Sequence, residues 1–158
     1  MLLYRIGRLL ATAGGLVIRL CEGEYGITRR EWRVLAKLAQ EDGILSSALA
    51  ERAQLDRART SRAVTSLVAK QLVERRPRPR DRREVALHLT AAGRALYEAM
   101  LPRVGQIHQD LTAVLGEVEL AALDDMLARL QGQADKLLQQ ADLPKADRRR
   151  GGRRGTAP

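Results

Sequence analysis

The chain has 158 residues, of which 45% are hydrophobic, so it is long enough for one domain with a core of its own and is not expected to be disordered as a whole. Its formal net charge of +9 favours an anionic partner such as nucleic acid, although an anionic lipid surface or simple solubility also explains it. The single cysteine, Cys21, excludes an intrachain disulfide and a cysteine-based zinc cluster.

Apolar residues recur every three or four positions between residues 2 and 22, which predicts an amphipathic helix. Gly14 and Gly15 interrupt this pattern, and each weakens a helix interior by about 1 kcal/mol relative to alanine. Either the helix tolerates a kink there, or close packing or a ligand uses the space. Because arginines break the apolar segment, it predicts neither a signal peptide nor a membrane span, and we expect a cytoplasmic protein.

Thr28 and Glu31 have the spacing of a capping box, in which each side chain bonds the backbone amide of the other residue. Ile27 and Trp32 flank this box in positions that suit a hydrophobic staple. The apolar pattern then continues to Asp42, where the sequence Asp-Gly stops it, so a helix is predicted to begin after Thr28.

Two further helices are predicted in quick succession. The first spans about residues 47–53, and the second is capped by Asp56 and extends to about Gln71. The linker at 54–55 is too short for anything but a tight helix-turn-helix corner. The outer face of the second helix carries arginines and hydroxyls with almost no acid, whereas an ordinary solvated helix mixes glutamate with lysine. This composition favours contact with phosphates and base edges.

The hydrophobic period then changes to two, which predicts strands at 73–76 and 84–89. The tip of the resulting hairpin, residues 78–83, is rich in arginine. A helix-turn-helix followed by a basic hairpin is the outline of a winged helix. Thr90 is predicted to cap the next helix, and a last helix is predicted over about 117–141.

The predicted fold is therefore mainly α with a small β-hairpin wing (α+β), in one domain spanning residues 1–142. Its winged helix-turn-helix occupies about 28–90, with N- and C-terminal dimerisation helices at about 2–22 and 91–141. The apolar faces of those flanking helices need a partner, and a second copy of the chain is the economical one. Residues 143–158 are predicted to form a disordered basic tail.

Between residues 28 and 96 the chain resembles the MarR family of transcriptional regulators. The matching segments are Trp-Arg-Val-Leu at 32–35, Leu-Ala-Glu-Arg at 49–52, Leu-Asp-Arg at 55–57, Ser-Arg at 61–62, Leu-Val-Glu-Arg at 72–75, Asp-Arg-Arg at 81–83 and Leu-Thr-Ala-Ala-Gly at 89–93. An Asp-x-Arg wing followed by Leu-Thr is a more specific signal than a helix-turn-helix alone. The chain departs from the family at Arg59 and Thr60, where relatives more often have a small polar and then an aliphatic residue. This departure affects which bases the helix is expected to read, and it does not affect the predicted fold.

The helix face and the resemblance together predict a DNA-binding surface on the second helix of the corner and on the wing. Its predicted contact residues are Arg57, Arg59, Ser61, Arg62, Thr65, Ser66, Arg80, Arg82 and Arg83. Arginine can hold the O6 and N7 of guanine with two hydrogen bonds. The resemblance implies that Arg83 enters the minor groove, with Asp81 either orienting an arginine or acting as a plain turn residue. The simpler alternative for the helix is a solvated face.

Many MarR-family proteins release DNA when a small aromatic acid or phenol binds between the dimer helices and the DNA-reading lobe. The resemblance therefore implies a pocket, and the candidates to line it are Arg19, Tyr25, Trp32 and Arg33. Trp32 is equally well explained as a core residue. Cys21 is either a peroxide sensor or, more simply, a buried structural cysteine.

The sequence thus predicts a homodimeric repressor that binds palindromic promoter DNA and is released by a small aromatic or heteroaromatic carboxylic acid or phenol. The alternative is a non-specific or architectural DNA-binding protein, with weak discrimination and steep salt dependence. No nucleophile–base pair, phosphate-binding loop or paired carboxylates are found in the sequence, so neither an enzyme nor a cofactor is expected. The two histidines lack a third ligand at metal spacing, and neither a metal nor a membrane partner is expected.

Overall fold

The computed structural model describes residues 1–52, 56–78 and 84–142. The elements, in chain order, are α1 (Leu2–Arg19), a π-helical turn (Leu20–Glu24), α2 (Arg29–Gln40), β1 (Ile44–Leu45), α3 (Ser46–Arg52), α4 (Arg57–Ala69), β2 (Val73–Pro77), β3 (Val85–Leu89), α5 (Ala91–Thr112) and α6 (Glu117–Gln140). This order confirms the predicted mainly helical fold with a small sheet. The predicted corner linker at 54–55, most of the wing tip and the predicted basic tail lie outside the described residues.

The start of α2 is fixed by local hydrogen bonds, as the sequence predicts. The Glu31 amide donates to Thr28 Oγ1 over 3.2 Å, and the Thr28 amide donates to Glu31 Oε2 over 2.6 Å, which completes the capping box. Ile27 and Trp32 on either side of the cap are both buried in the core. This core joins α2, α4 and the sheet, and its fully buried members include Leu35, Leu38, Leu49, Leu67 and Leu87.

The wing belongs to a three-stranded antiparallel sheet in the order β1-β3-β2. Val73 pairs with Leu89 and Arg75 with Leu87 in the hairpin, while Ile44 of β1 pairs with Leu87 on the other side of β3. The sequence predicts the hairpin but not the third strand. Two residues are too few to show an alternating pattern, so β1 is defined only by its pairing with β3.

A tight junction joins the turn after α4 to the start of α5. Thr90 donates from its amide to the Leu72 carbonyl (3.1 Å) and from its hydroxyl to the Gln71 carbonyl (2.7 Å), and the Thr90 hydroxyl accepts from the Gly93 amide (3.0 Å). A Cβ atom on Gly93 would overlap the Leu72 carbonyl oxygen. Only glycine fits at this position, which gives a physical reason for the Leu-Thr-Ala-Ala-Gly segment.

Gly14 and Gly15 do not interrupt α1. The guanidinium of Arg29 packs over Gly14, with Nη1 only 2.9 Å from where a Cβ would lie, so Arg29 fills the space beside that glycine. The helical geometry changes one turn later, in the π-helical turn, which leads the chain into α2. Short π-helical segments are frequently found at functional sites.

The chain falls into two compact units, Met1–Ala113 and Val114–Pro158. In the first unit, α1 exposes large apolar side chains, among them Leu2, Leu3, Ile6, Leu9, Leu10 and Leu16. In the second unit, α6 exposes apolar side chains along its length, among them Leu123, Met126, Leu127, Leu130, Leu137 and Leu138. Within the described residues, no helix combines the length and the apolar character needed to cross a membrane.

Candidate nucleic-acid interface

Helix α4 presents a cationic, hydroxyl-bearing face to solvent. Asp56 caps the helix by accepting from the Arg59 amide over 2.8 Å. The inner face is buried and consists of Thr60, Ala63, Val64 and Leu67. The exposed face carries five of the predicted contact residues, Arg57, Arg59, Ser61, Arg62 and Thr65. Since α4 contains no Asp or Glu, this face is suited to a polyanion.

Ser66, the sixth predicted residue on this helix, lies differently from the other five. It is only partly exposed, and its hydroxyl hydrogen-bonds to the Glu31 carboxylate, which is buried. Its observed partner is therefore inside the protein. Helical spacing alone gives no sign of an acid on the neighbouring helix.

Glu31 holds the end of α4 against the start of α2. The Lys70 ammonium lies 3.1 Å from Glu31 Oε1 and 3.0 Å from Oε2, and it also donates to the Gly26 carbonyl over 2.9 Å. Burial raises the pKa of Glu31, but hydrogen bonds from Ser66, the Thr28 backbone and Lys70 outweigh it, so the pKa lies below its ordinary value. The carboxylate is therefore ionised at neutral pH and links two helices.

Arg75 connects the wing to α4, since its Nη2 donates to Thr65 Oγ1 over 3.1 Å. Other arginines of the hairpin have acidic neighbours: Arg76 pairs with Glu74, and Arg78 lies 3.3 Å from Glu84. The positive charge at the base of the wing is thus partly neutralised by these glutamates. The predicted wing residues Arg80, Asp81, Arg82 and Arg83 lie outside the described residues.

A second cluster surrounds the start of α2, where the sequence analysis expects an effector pocket. The rings of Trp32 and Tyr97 are stacked with their centroids 5.5 Å apart, and the Tyr25 hydroxyl donates to the Ala99 carbonyl of α5 over 3.4 Å. Trp32 is buried, as a core residue would be, while Tyr25 is half-buried. Tyr97 was not singled out in the sequence, because only the fold brings α5 beside α2.

Arg33 follows Trp32 in α2, and a second arginine, Arg29, acts on its charge. Arg33 is half-buried, and its burial and then the positive charge of Arg29 lower the pKa of Arg33. Arg19, the other predicted pocket arginine, is exposed at the end of α1. The arginine that affects Arg33 is therefore Arg29, which the sequence analysis did not select.

The connection between α1 and α2 is also tied to α5. Glu24, in the π-helical turn, forms a two-pronged ion pair with Arg103, with N–O distances of 2.8 and 2.9 Å. Cys21 in the same turn is fully buried. Burial and then the charge of Glu22 raise the pKa of the Cys21 thiol, which disfavours the reactive thiolate and supports a structural role.

The comparisons with known proteins agree on one family. The MarR family profile matches residues 25–84. The Escherichia coli multiple antibiotic resistance protein MarR is 34% identical over 105 residues, which are 66% of this chain and 73% of that protein. A structure of a mutant of that protein with operator DNA has a TM-score of 0.68 and 32% identity, and the match covers 80% of this chain and 93% of that one.

A further similar structure concerns the control of DNA binding by a small molecule. It is that of Bordetella bronchiseptica BpsR, whose DNA binding is regulated by 6-hydroxynicotinic acid. Its TM-score is 0.67 at 26% identity, and the match covers 80% of this chain and 98% of that one.

A winged helix-turn-helix whose exposed helix carries arginines and no acid defines a DNA-binding transcriptional regulator. The chain belongs to the MarR family. The family consists of DNA-binding regulators and not of enzymes, which confirms the functional class that the sequence predicts.

Proposed function

We propose that the chain is a sequence-specific repressor that binds a palindromic promoter site as a homodimer, with α4 in the major groove. The observation that carries this proposal is the acid-free outer face of α4. Arg62 and Arg59 are suited to guanine edges, and Ser61 and Thr65 supply hydroxyls for bases or phosphates. The wing residues Arg80, Arg82 and Arg83, with Asp81 as an orienting residue, remain part of the proposal through the family resemblance.

The exposed apolar residues of α1 and of α6 support the homodimer. Single apolar residues are common on protein surfaces, but a helix face that exposes many Leu, Ile and Met side chains indicates a surface that a partner covers. A second copy of the chain would cover them and would place two α4 helices about one turn of DNA apart. The two-fold symmetry of such a dimer requires a palindromic site.

The proposed effector is a small aromatic or heteroaromatic carboxylic acid or phenol. The regulation of BpsR by 6-hydroxynicotinic acid supports this class of molecule. In this chain, Arg33 follows Trp32 in α2, Arg29 adds a second positive charge that acts on Arg33, and the Trp32 ring stacks on Tyr97. We therefore propose Arg29 as a contact in addition to Tyr25, Trp32 and Arg33. Arg19 is exposed at the end of α1 and is not part of this set.

The groove assignment is tested with Arg62→Ala. We expect this variant to lose about ten- to hundredfold in affinity for the promoter site, the range that one base contact of about 1–3 kcal/mol gives, and to discriminate less among sites altered at one base pair. Arg94→Ala, at an exposed arginine of α5, removes the same charge and serves as the control. Equal, salt-sensitive binding of wild type to every sequence would instead support the architectural alternative.

The effector assignment is tested with Arg33→Gln. The substitution removes one charge-assisted hydrogen bond of about 1.5–3 kcal/mol. The concentration of 6-hydroxynicotinic or benzoic acid needed to release DNA should therefore rise about ten- to hundredfold. DNA affinity without the acid should stay close to wild type. Benzamide, which lacks the carboxylate, is the control ligand. An unchanged response to the acids in Arg33→Gln would remove Arg33 from the pocket.

A further inference from the structure

We infer that Arg30, at the start of α2, binds a phosphate of the DNA backbone in a groove between α2 and α4. The inference rests on the proposed DNA binding and adds to it a contact outside the helix-turn-helix and the wing. The sequence alone does not indicate this role, because Arg30 lies between the two members of the capping box, where a helix start is enough to explain it.

The groove runs along one side of α4 and has a volume of about 310 Å³. Six of the seven residues that line it are polar or charged, and the full set is Thr28, Arg30, Glu31, Arg59, Arg62, Ala63 and Ser66. Three of these are exposed arginines, one from α2 and two from α4. Arg30 therefore lies beside the helix that the proposed function places in the major groove.

The charges around the groove leave a positive excess. Glu31 is only 2% exposed, and it is ion-paired with Lys70. The Nε of Arg59 lies 3.0 Å from Asp56 Oδ2, so that charge is also offset. Across the described part of the chain, neither Arg30 nor Arg62 forms a salt bridge. Arg30 and Arg62 thus bring two uncompensated positive charges to the groove. Both side chains are exposed, so an anion in solution can reach them.

The geometry of DNA indicates which anion this is. A helix in the major groove has a phosphate backbone along each of its sides, and arginine is well matched to phosphate oxygens. Arg62 lies on the outer face of α4 and is available to the bases, whereas Arg30 reaches the groove from the neighbouring helix. Arg30 therefore positions α4 on the DNA and does not read the sequence.

The experiment measures the affinity of the full chain for its promoter site and for a random duplex over a series of salt concentrations. Arg30→Ala is expected to weaken binding about fivefold or more per protomer and by a similar factor on both DNAs. The slope of log K against log salt should become shallower by about one for each protomer, since each neutralised phosphate contributes about 0.9. Arg30→Lys, which keeps the charge, should restore most of the slope.

Arg94→Ala is the matched control, since it removes one positive charge from a residue that does not line this groove. Its slope should equal that of wild type. An unchanged slope in Arg30→Ala, together with lost binding in Arg62→Ala, would overturn the inference and leave the proposed function intact. A changed preference among sequences in Arg30→Ala would also overturn it, because a phosphate contact weakens all sites alike. Wild-type protein that prefers no sequence would instead contradict the proposed function.

Discussion

Gly93→Ala is expected to lower the free energy of unfolding by about 3 kcal/mol, the upper end of the range of about 1–3 kcal/mol for a forced overlap in a packed site. The added methyl group would overlap the Leu72 carbonyl oxygen, which is backbone and cannot rotate away. That carbonyl also accepts from the Thr90 amide, so any shift of the turn weakens the junction between α4 and α5. Urea unfolding followed by circular dichroism measures the change.

Gly105→Ala in the same helix is the control for Gly93→Ala. A Cβ on Gly105 has no atom within 4 Å among the described residues, and alanine is the better helix former by about 1 kcal/mol. We therefore expect Gly105→Ala to be neutral or slightly stabilising. Equal stability of the two variants would show that the overlap at Gly93 is absorbed by relaxation of the turn.

Glu31→Gln is expected to have the second large effect, a loss of about 2–3 kcal/mol at neutral pH. The substitution leaves the Lys70 ammonium without its carboxylate. Because Lys70 is 36% exposed, water can compensate part of the loss, which puts the effect below that of a fully buried pair. Since Glu31 also holds α4 against α2, we expect weaker DNA binding in parallel.

The stability difference between wild type and Glu31→Gln should depend on pH. The folded protein lowers the pKa of Glu31 below its ordinary value of 4.5, so the carboxylate contributes stability that is fully present above pH 4.5. That contribution is lost as the pH falls through the lower folded pKa. The gap in stability between wild type and Glu31→Gln should therefore narrow in acid. Glu98→Gln, an exposed carboxylate on α5, is the control. A gap that stayed constant from pH 7 to acid would contradict the assignment of the stabilising charge to Glu31.

The features that the sequence predicts well depend on residues close together in the chain. The capping box of Thr28 and Glu31, the cap at Asp56 and the cap at Thr90 were all recognisable from spacing, and the helices begin where those caps predict. The same holds for the exposed face of α4, which follows from helical periodicity once its inner face is assigned to the core.

The features that the sequence does not predict depend on contacts between distant segments. Ser66 bonds to Glu31 across two helices, and Arg29 packs over Gly14 of α1. Tyr97 stacks on Trp32 only because α5 returns to α2. In each case the residue type is compatible with several roles, and the fold selects one. Arg30 is the clearest example, since its place beside α4 is visible only once the two helices are packed together.

A footprint is the best single test of sequence-specific binding by a dimer. Purified protein is incubated at physiological salt with the DNA upstream of its own gene and with excess random competitor DNA. Specific binding by a dimer predicts one protected palindrome whose half-sites lie about one helical turn apart, and loss of that protection in Arg62→Ala. Protection that disappears with competitor on this and other promoters would contradict it and support non-specific DNA binding.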